Sequence, residues 1–90
     1  MIQHVTLRIS GKVQGVFYRA SAKNKADELG VKGFVQNELD GNVYAEAEGT
    51  SEQLDDFIEW CAKGPPHARV IDIKSSTGQV QHFEKIEIRR

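Results

Sequence analysis

Val5, Leu7 and Ile9 alternate with Thr6, Arg8 and Ser10, the period of two that one buried face imposes, and they predict a first strand. Gly11 and Gly15 bracket Lys12-Val13-Gln14, after which Ala22, Ala26 and Leu29 recur at helical spacing with charges between them. A glycine-bearing loop therefore feeds a first helix. Gly30 stands where a helix C-terminal cap belongs, and Val31 to Asn37 reads as a second strand. Asp40-Gly41 is a turn signal before Val43, Ala45 and Ala47, which alternate with Tyr44, Glu46 and Glu48, so the second and third strands should form a hairpin. Thr50 followed by Gln53 is a capping box, and Leu54, Phe57, Ile58 and Cys61 then make one apolar helical stripe. Gly64-Pro65-Pro66 ends that helix, because proline cannot continue it. Val70 to Lys74 and Phe83 to Ile88 are two further strand candidates, with the polar, turn-like Ser75-Ser76-Thr77-Gly78 after the first.

The order strand, helix, strand, strand, helix, strand predicts an α+β fold of the ferredoxin-like, split βαβ kind. The expected architecture is a βαββαβ sandwich: an antiparallel sheet with two helices on one face and a short extra C-terminal strand. In that layout the first two strands run parallel with the third between them. Their C-terminal ends then share one sheet edge, roughly 10 Å apart at about 4.8 Å per strand. Residues on the two loops that follow, Arg19 and Asn37 among them, could reach one ligand.

Ninety residues make one domain, expected to span residues 1–90, with a single modest core. Twelve Lys and Arg against thirteen Asp and Glu leave a formal charge of −1, which is not the footprint of a protein that lives on a polyanion. Neither nucleic acid nor an anionic membrane is expected as a partner, so any anion site must be local and suited to a small ligand. The lone Cys61 can form no intrachain disulfide and no Cys-rich zinc site, and a reducing compartment suits it best. No stretch approaches the roughly 20 apolar residues that span a bilayer, and Met-Ile-Gln-His-Val at the start has no signal-peptide pattern. The expectation is a cytoplasmic protein, and a monomer.

The loop from Gly11 to Arg19 joins a strand to a helix, the geometry in which unpaired backbone N–H groups converge on an anion. Arg19 adds a fork that can grip two phosphate oxygens and keeps its charge near neutral pH. A plain chain-reversing turn with a solvated arginine is the competing reading, although a cation at a helix N-terminus faces the unfavourable end of the dipole unless an anion is near. Asn37 reads either as a group aimed at the same ligand or as an ordinary asparagine capping backbone before a hairpin turn.

Gly11-Lys12-Val13-Gln14-Gly15-Val16-Phe17-Tyr18-Arg19, followed by Gly33-Phe34-Val35-Gln36-Asn37, resembles the signature of the acylphosphatase family. The family pattern is Gly-x-Val-Gln-Gly-Val-x-(Phe/Tyr)-Arg and then Gly-aromatic-Val-x-Asn. Asp40-Gly41 and Glu48-Gly49 also stand in family-like places, and the resemblance covers essentially the whole chain. Phe34 departs from it, since tryptophan is commoner there; the change should touch packing and leave the chemistry alone. The resemblance implies metal-independent, cofactor-free hydrolysis of the carboxyl-phosphate bond of a small-molecule acyl phosphate. It assigns phosphate binding to the backbone amides of Gln14, Gly15, Val16, Phe17, Tyr18 and Arg19 and to the Arg19 side chain, and water orientation to Asn37. Arg19 and Asn37 are thus the expected catalytic pair.

The remaining candidates carry less. His4, His67 and His82 lack metal-ligand spacing and are expected in surface or structural roles. Cys61 lies on an apolar stripe and reads as a core residue, Trp60 as cover for a core edge, and Lys12 as a solvated loop lysine. An RNA-recognition module on the same topology would need aromatic residues on its central strands, yet the first strand has none and the third only Tyr44. The alternative that stays open is a catalytically silent ferredoxin-like module that binds an anion or a partner.

Overall fold

The computed structural model describes residues 1–89. Seven elements follow in order: β1 (Gln3–Lys12), α1 (Tyr18–Leu29), β2 (Lys32–Asn37), β3 (Val43–Gly49), α2 (Ser51–Lys63), β4 (Arg69–Gly78) and β5 (Ile86–Arg89). The sheet runs β4-β1-β3-β2-β5. Its first four strands are antiparallel neighbours, as expected, with β3 between the parallel β1 and β2. The short C-terminal strand joins β2 in parallel, pairing Gly33 with Ile86 and Val35 with Ile88, so the whole sheet is mixed.

The two periodicities explain the layers. Val5, Leu7 and Ile9 on β1, with Val35, Val43, Ala45 and Ala47, turn one sheet face to the helices. Ala22 and Ala26 on α1 and Leu54, Phe57 and Cys61 on α2 close the core from the other side. Both halves of the predicted capping box form: Thr50 Oγ1 accepts from the Gln53 amide at 3.2 Å, and Gln53 Oε1 accepts from the Thr50 amide at 2.8 Å. Trp60 is half-buried against the core edge.

Two strand boundaries differ from the sequence reading. Ser75 to Gly78 is no turn; it continues β4, pairing Leu7 with Ser75, Thr6 with Ser76 and Val5 with Thr77. As an edge strand β4 is held by its backbone ladder to β1, which needs no apolar side chains on the water side, so the hydrophobic pattern underestimates its length. Conversely, β5 begins at Ile86 and not at Phe83. The Phe83 amide donates to Glu48 Oε1 at 3.0 Å, and its ring stacks near His4 and meets Phe34 edge-on, so this segment crosses the open sheet face before the strand starts.

That crossing segment buries two groups that alternation alone would leave in water. His4 and Glu48 are each 3% exposed, and His4 Nδ1 lies 2.7 Å from Glu48 Oε2. Among the described residues, no helix is long and apolar enough to cross a membrane.

Candidate active site

Because β1 and β2 are parallel about β3, Lys12 and Asn37 finish at the same edge of the sheet. A bulge between Ser10 and Gly11 shifts the β1–β4 register just before the loop begins. Gly11 is required there: its φ is +124°, and a Cβ would run into the Arg69 carbonyl.

Beyond Val13 the backbone alternates in hand. Gly15 has φ +73° and Phe17 has φ 62° and ψ 25°, with residues of ordinary negative φ between and after them. Successive left- and right-handed residues turn their N–H groups toward one side, which makes a concave anion nest. Among the described residues, none of the amides from Gln14 to Arg19 has an intramolecular acceptor, and no side chain caps the start of α1. These donors lie where the helix dipole adds positive potential.

Tyr18, the first residue of α1, fixes that helix end. Its hydroxyl donates to the Cys61 carbonyl at 2.6 Å, and its ring packs on Trp60 at 5.7 Å between centroids. Burial, followed by the nearby Cys61, drives the phenol far above its usual range, so it remains a neutral donor. Arg19 follows at once. Its Nη1 donates to the Arg89 carbonyl on β5 at 2.9 Å. Among the described residues that is the guanidinium's one hydrogen bond, and Arg19 also lines the cavity.

Arg19 and Asn37 line one cavity of about 310 Å³ with Gly15, Phe17, Tyr18 and Ile88. Asn37 closes β2, opposite Val43, and its Oδ1 is buried with no hydrogen-bond partner among the described residues. An unpartnered buried acceptor costs on the order of 1–3 kcal/mol. Such an atom beside a cavity is a site for an incoming donor.

The structure therefore brings Gly15, Phe17, Tyr18, Arg19 and Asn37 together. Val16 turns inward as core, and Gln14 does something spacing did not suggest. Its Nε2 donates to the Glu38 carbonyl at 2.8 Å and to the Asn42 carbonyl at 2.9 Å, tying the loop to the hairpin that carries Asn37. Ile88 was also missed as a wall of the cavity; nothing in a four-residue strand shows where its second apolar side chain ends up. Lys12 is exposed and lies outside the cavity walls. Cys61 is buried core, and burial pushes its thiol up to about 12. His67 and His82 are exposed, and no three His, Cys, Asp or Glu side chains cluster as metal ligands among the described residues.

The family profile described as Acylphosphatase matches residues 5–88. The chain is 50% identical over 70 residues to an acylphosphatase of Anaeromyxobacter sp., covering 78% of this chain and 75% of that protein. It is 40% identical over 89 residues to an acylphosphatase of Nitrosococcus oceani, covering 99% of this chain and all of the other. Among solved structures, an acylphosphatase from Coxiella burnetii superimposes with a TM-score of 0.94 at 34% identity, over 98% of this chain and 93% of that one.

Proposed function

The chain belongs to the acylphosphatase family, an enzyme family acting on small-molecule acyl phosphates, and from that premise we propose how its own residues carry out the hydrolysis. The amides of Gln14 to Arg19 and the Arg19 guanidinium hold the phosphoryl group, and Asn37 orients the attacking water. Water adds to phosphorus, the P–O bond to the acyl group breaks, and the products are a carboxylate and inorganic phosphate.

The observation that carries this reading is the convergence on one cavity of an unpaired amide nest, a charged fork and the unpartnered Asn37 Oδ1. Phosphoryl transfer needs mainly positioning and charge stabilisation, and fixed donors meet the equatorial oxygens without reorganising as the bond breaks. The leaving carboxylate departs as an anion at neutral pH, so no strong general acid is required. A carboxamide is no base, which leaves Asn37 an orienting role, with the water's proton passing to a phosphoryl oxygen of the substrate. The reaction is metal-independent and needs no cofactor. The same reading takes residues 1–90 as one domain and the protein as a cytoplasmic monomer, in keeping with its lone, buried Cys61.

Hydrolysis of benzoyl phosphate after chelator treatment tests the proposal. Activity should survive chelation and fall by on the order of 10²-fold or more in both Arg19→Ala and Asn37→Ala. A native chain that binds inorganic phosphate through Arg19 yet hydrolyses nothing would instead be a silent anion-binding relative. A pH–rate profile demanding an enzyme group with pKa near 7 would overturn the proton route.

A further inference from the structure

The cavity that holds Arg19 and Asn37 has a second, apolar character that gripping a phosphate does not use. Phe17 is 79% exposed and Ile88 is 41% exposed, and both line this same cavity. The other large hydrophobic residues with comparable exposure, Met1, Ile2, Leu39 and Ile71, lie outside its walls.

Phe17 is the more telling of the two. The amide nest requires a left-handed residue at this position, a conformation that glycine takes freely and that an aromatic residue rarely adopts. The nest thus explains the backbone at Phe17 but gives no reason for its ring. Core packing gives none either, because the ring is in solvent, and the residue makes no side-chain cap to the helix. Ile88 comes from a different element, β5. It pairs with Val35 on the edge strand β5, two residues beyond the buried Ile86, and stops at the cavity rim. Among the described residues, Arg19 is the only charged side chain in the cavity wall, so these walls offer an acyl group bearing its own ammonium or second carboxylate no further ionic partner.

We infer that Phe17 and Ile88 form the acyl-binding rim of the site and select acyl phosphates whose acyl group is apolar. The inference rests on the assignment of Arg19 and Asn37 to the reacting end. With the phosphoryl group in the nest, the acyl chain leaves across these two side chains, and contact with them removes apolar surface from water on both partners.

A homologous series of acetyl, butyryl and hexanoyl phosphate isolates that contact, because straight-chain acids are nearly equal as leaving groups. A fully buried methylene contributes about fourfold in affinity, and one against half-open walls about twofold. From acetyl to hexanoyl phosphate, kcat/KM of the native chain should therefore rise by on the order of tenfold, mostly through KM. Phe17→Gly keeps the backbone amide and suits the left-handed conformation, and it should cut that ratio to about threefold or less. Ile88→Thr should do the same. Comparing substrates within one variant cancels any change in the folded fraction or in the grip on phosphate. A flat series in the native chain, or a slope retained in both variants, overturns the rim. If Arg19→Ala still hydrolyses the series, the reacting-end assignment falls and the rim falls with it. If Arg19→Ala is silent and the native series is flat, only the rim is lost.

Discussion

Arg19 Nη1 donates to the carbonyl of Arg89 at 2.9 Å, so a side chain from the first turn of α1 is held by the last described residue of the final strand. The contact joins positions seventy apart in sequence, and Arg19 also lines the cavity. Arg19→Lys should therefore be far from conservative. A lysine ammonium is a single point of charge that can reach the Arg89 carbonyl or the phosphate, and it cannot reproduce the planar fork. The expected loss in kcat/KM is about 10²-fold with little change in thermal stability, read by steady-state kinetics alongside thermal melting.

Gln14→Ala should loosen the site without removing any group that meets substrate through its side chain. Its carboxamide bridges the loop to the Glu38 and Asn42 carbonyls, and each bond contributes about 0.5–1.5 kcal/mol. Urea unfolding should show a destabilisation of about 1–2 kcal/mol, and KM should rise several-fold more than kcat falls. A variant with an unchanged midpoint would mean the bridge is dispensable.

Glu48 sets the acid limit of the fold. Burial alone would raise its pKa, but the Gln81 amide, His4 and the Phe83 amide together outweigh burial and hold the carboxyl below its ordinary value of 4.5. A depressed carboxyl contributes stability above its unfolded pKa and loses it as pH falls through the folded one. Stability should thus decline below about pH 4.5, first at the segment running from Gln81 to Phe83. Lys32, opposite Glu48 on β2, Glu46, beside His4, and His82, which lines the same cavity as Glu48, are further titratable groups on this patch. Glu48→Gln should be less stable near neutral pH and should show a shallower acid limb, checked by denaturant titrations across pH and by amide exchange at Phe83.

Cys61 should be silent to thiol reagents in the native protein. Desolvation pushes its pKa up to about 12, and the residue is only 1% exposed. Because the folded pKa is raised above the ordinary value of 9.0, the unfolded chain ionises first. Stability is intact below that value and declines as pH climbs toward 12. Labelling with a disulfide reagent at pH 8 should proceed only through global unfolding, at a rate that tracks urea concentration; fast labelling in native buffer would contradict the burial.

The elements of this fold were legible wherever a residue's environment follows from its neighbours in sequence. Val5, Leu7 and Ile9 alternate because one face of β1 is covered, and Thr50 and Gln53 cap α2 through bonds three residues apart. The signature from Gly11 to Arg19, with Gly33 to Asn37, led to the right family, because a short loop and a strand end carry the features that recur in its members. What local pattern missed depended on partners far along the chain. The polar Ser75 to Gly78 segment became strand because β1 lay beside it, and His4 and Glu48 went under cover because residues near Phe83 crossed above them. The same holds at the cavity: Gln14 reaches the hairpin carbonyls, Arg89 holds Arg19, and Ile88 lines the same cavity as Phe17. Sequence alone determined the elements, the family and the residues that meet at one sheet edge, since backbone periodicity and caps act over a few positions. Only the tertiary structure decided which loop is tied to which strand and what surrounds the amide nest, because those contacts exist only once distant segments have packed.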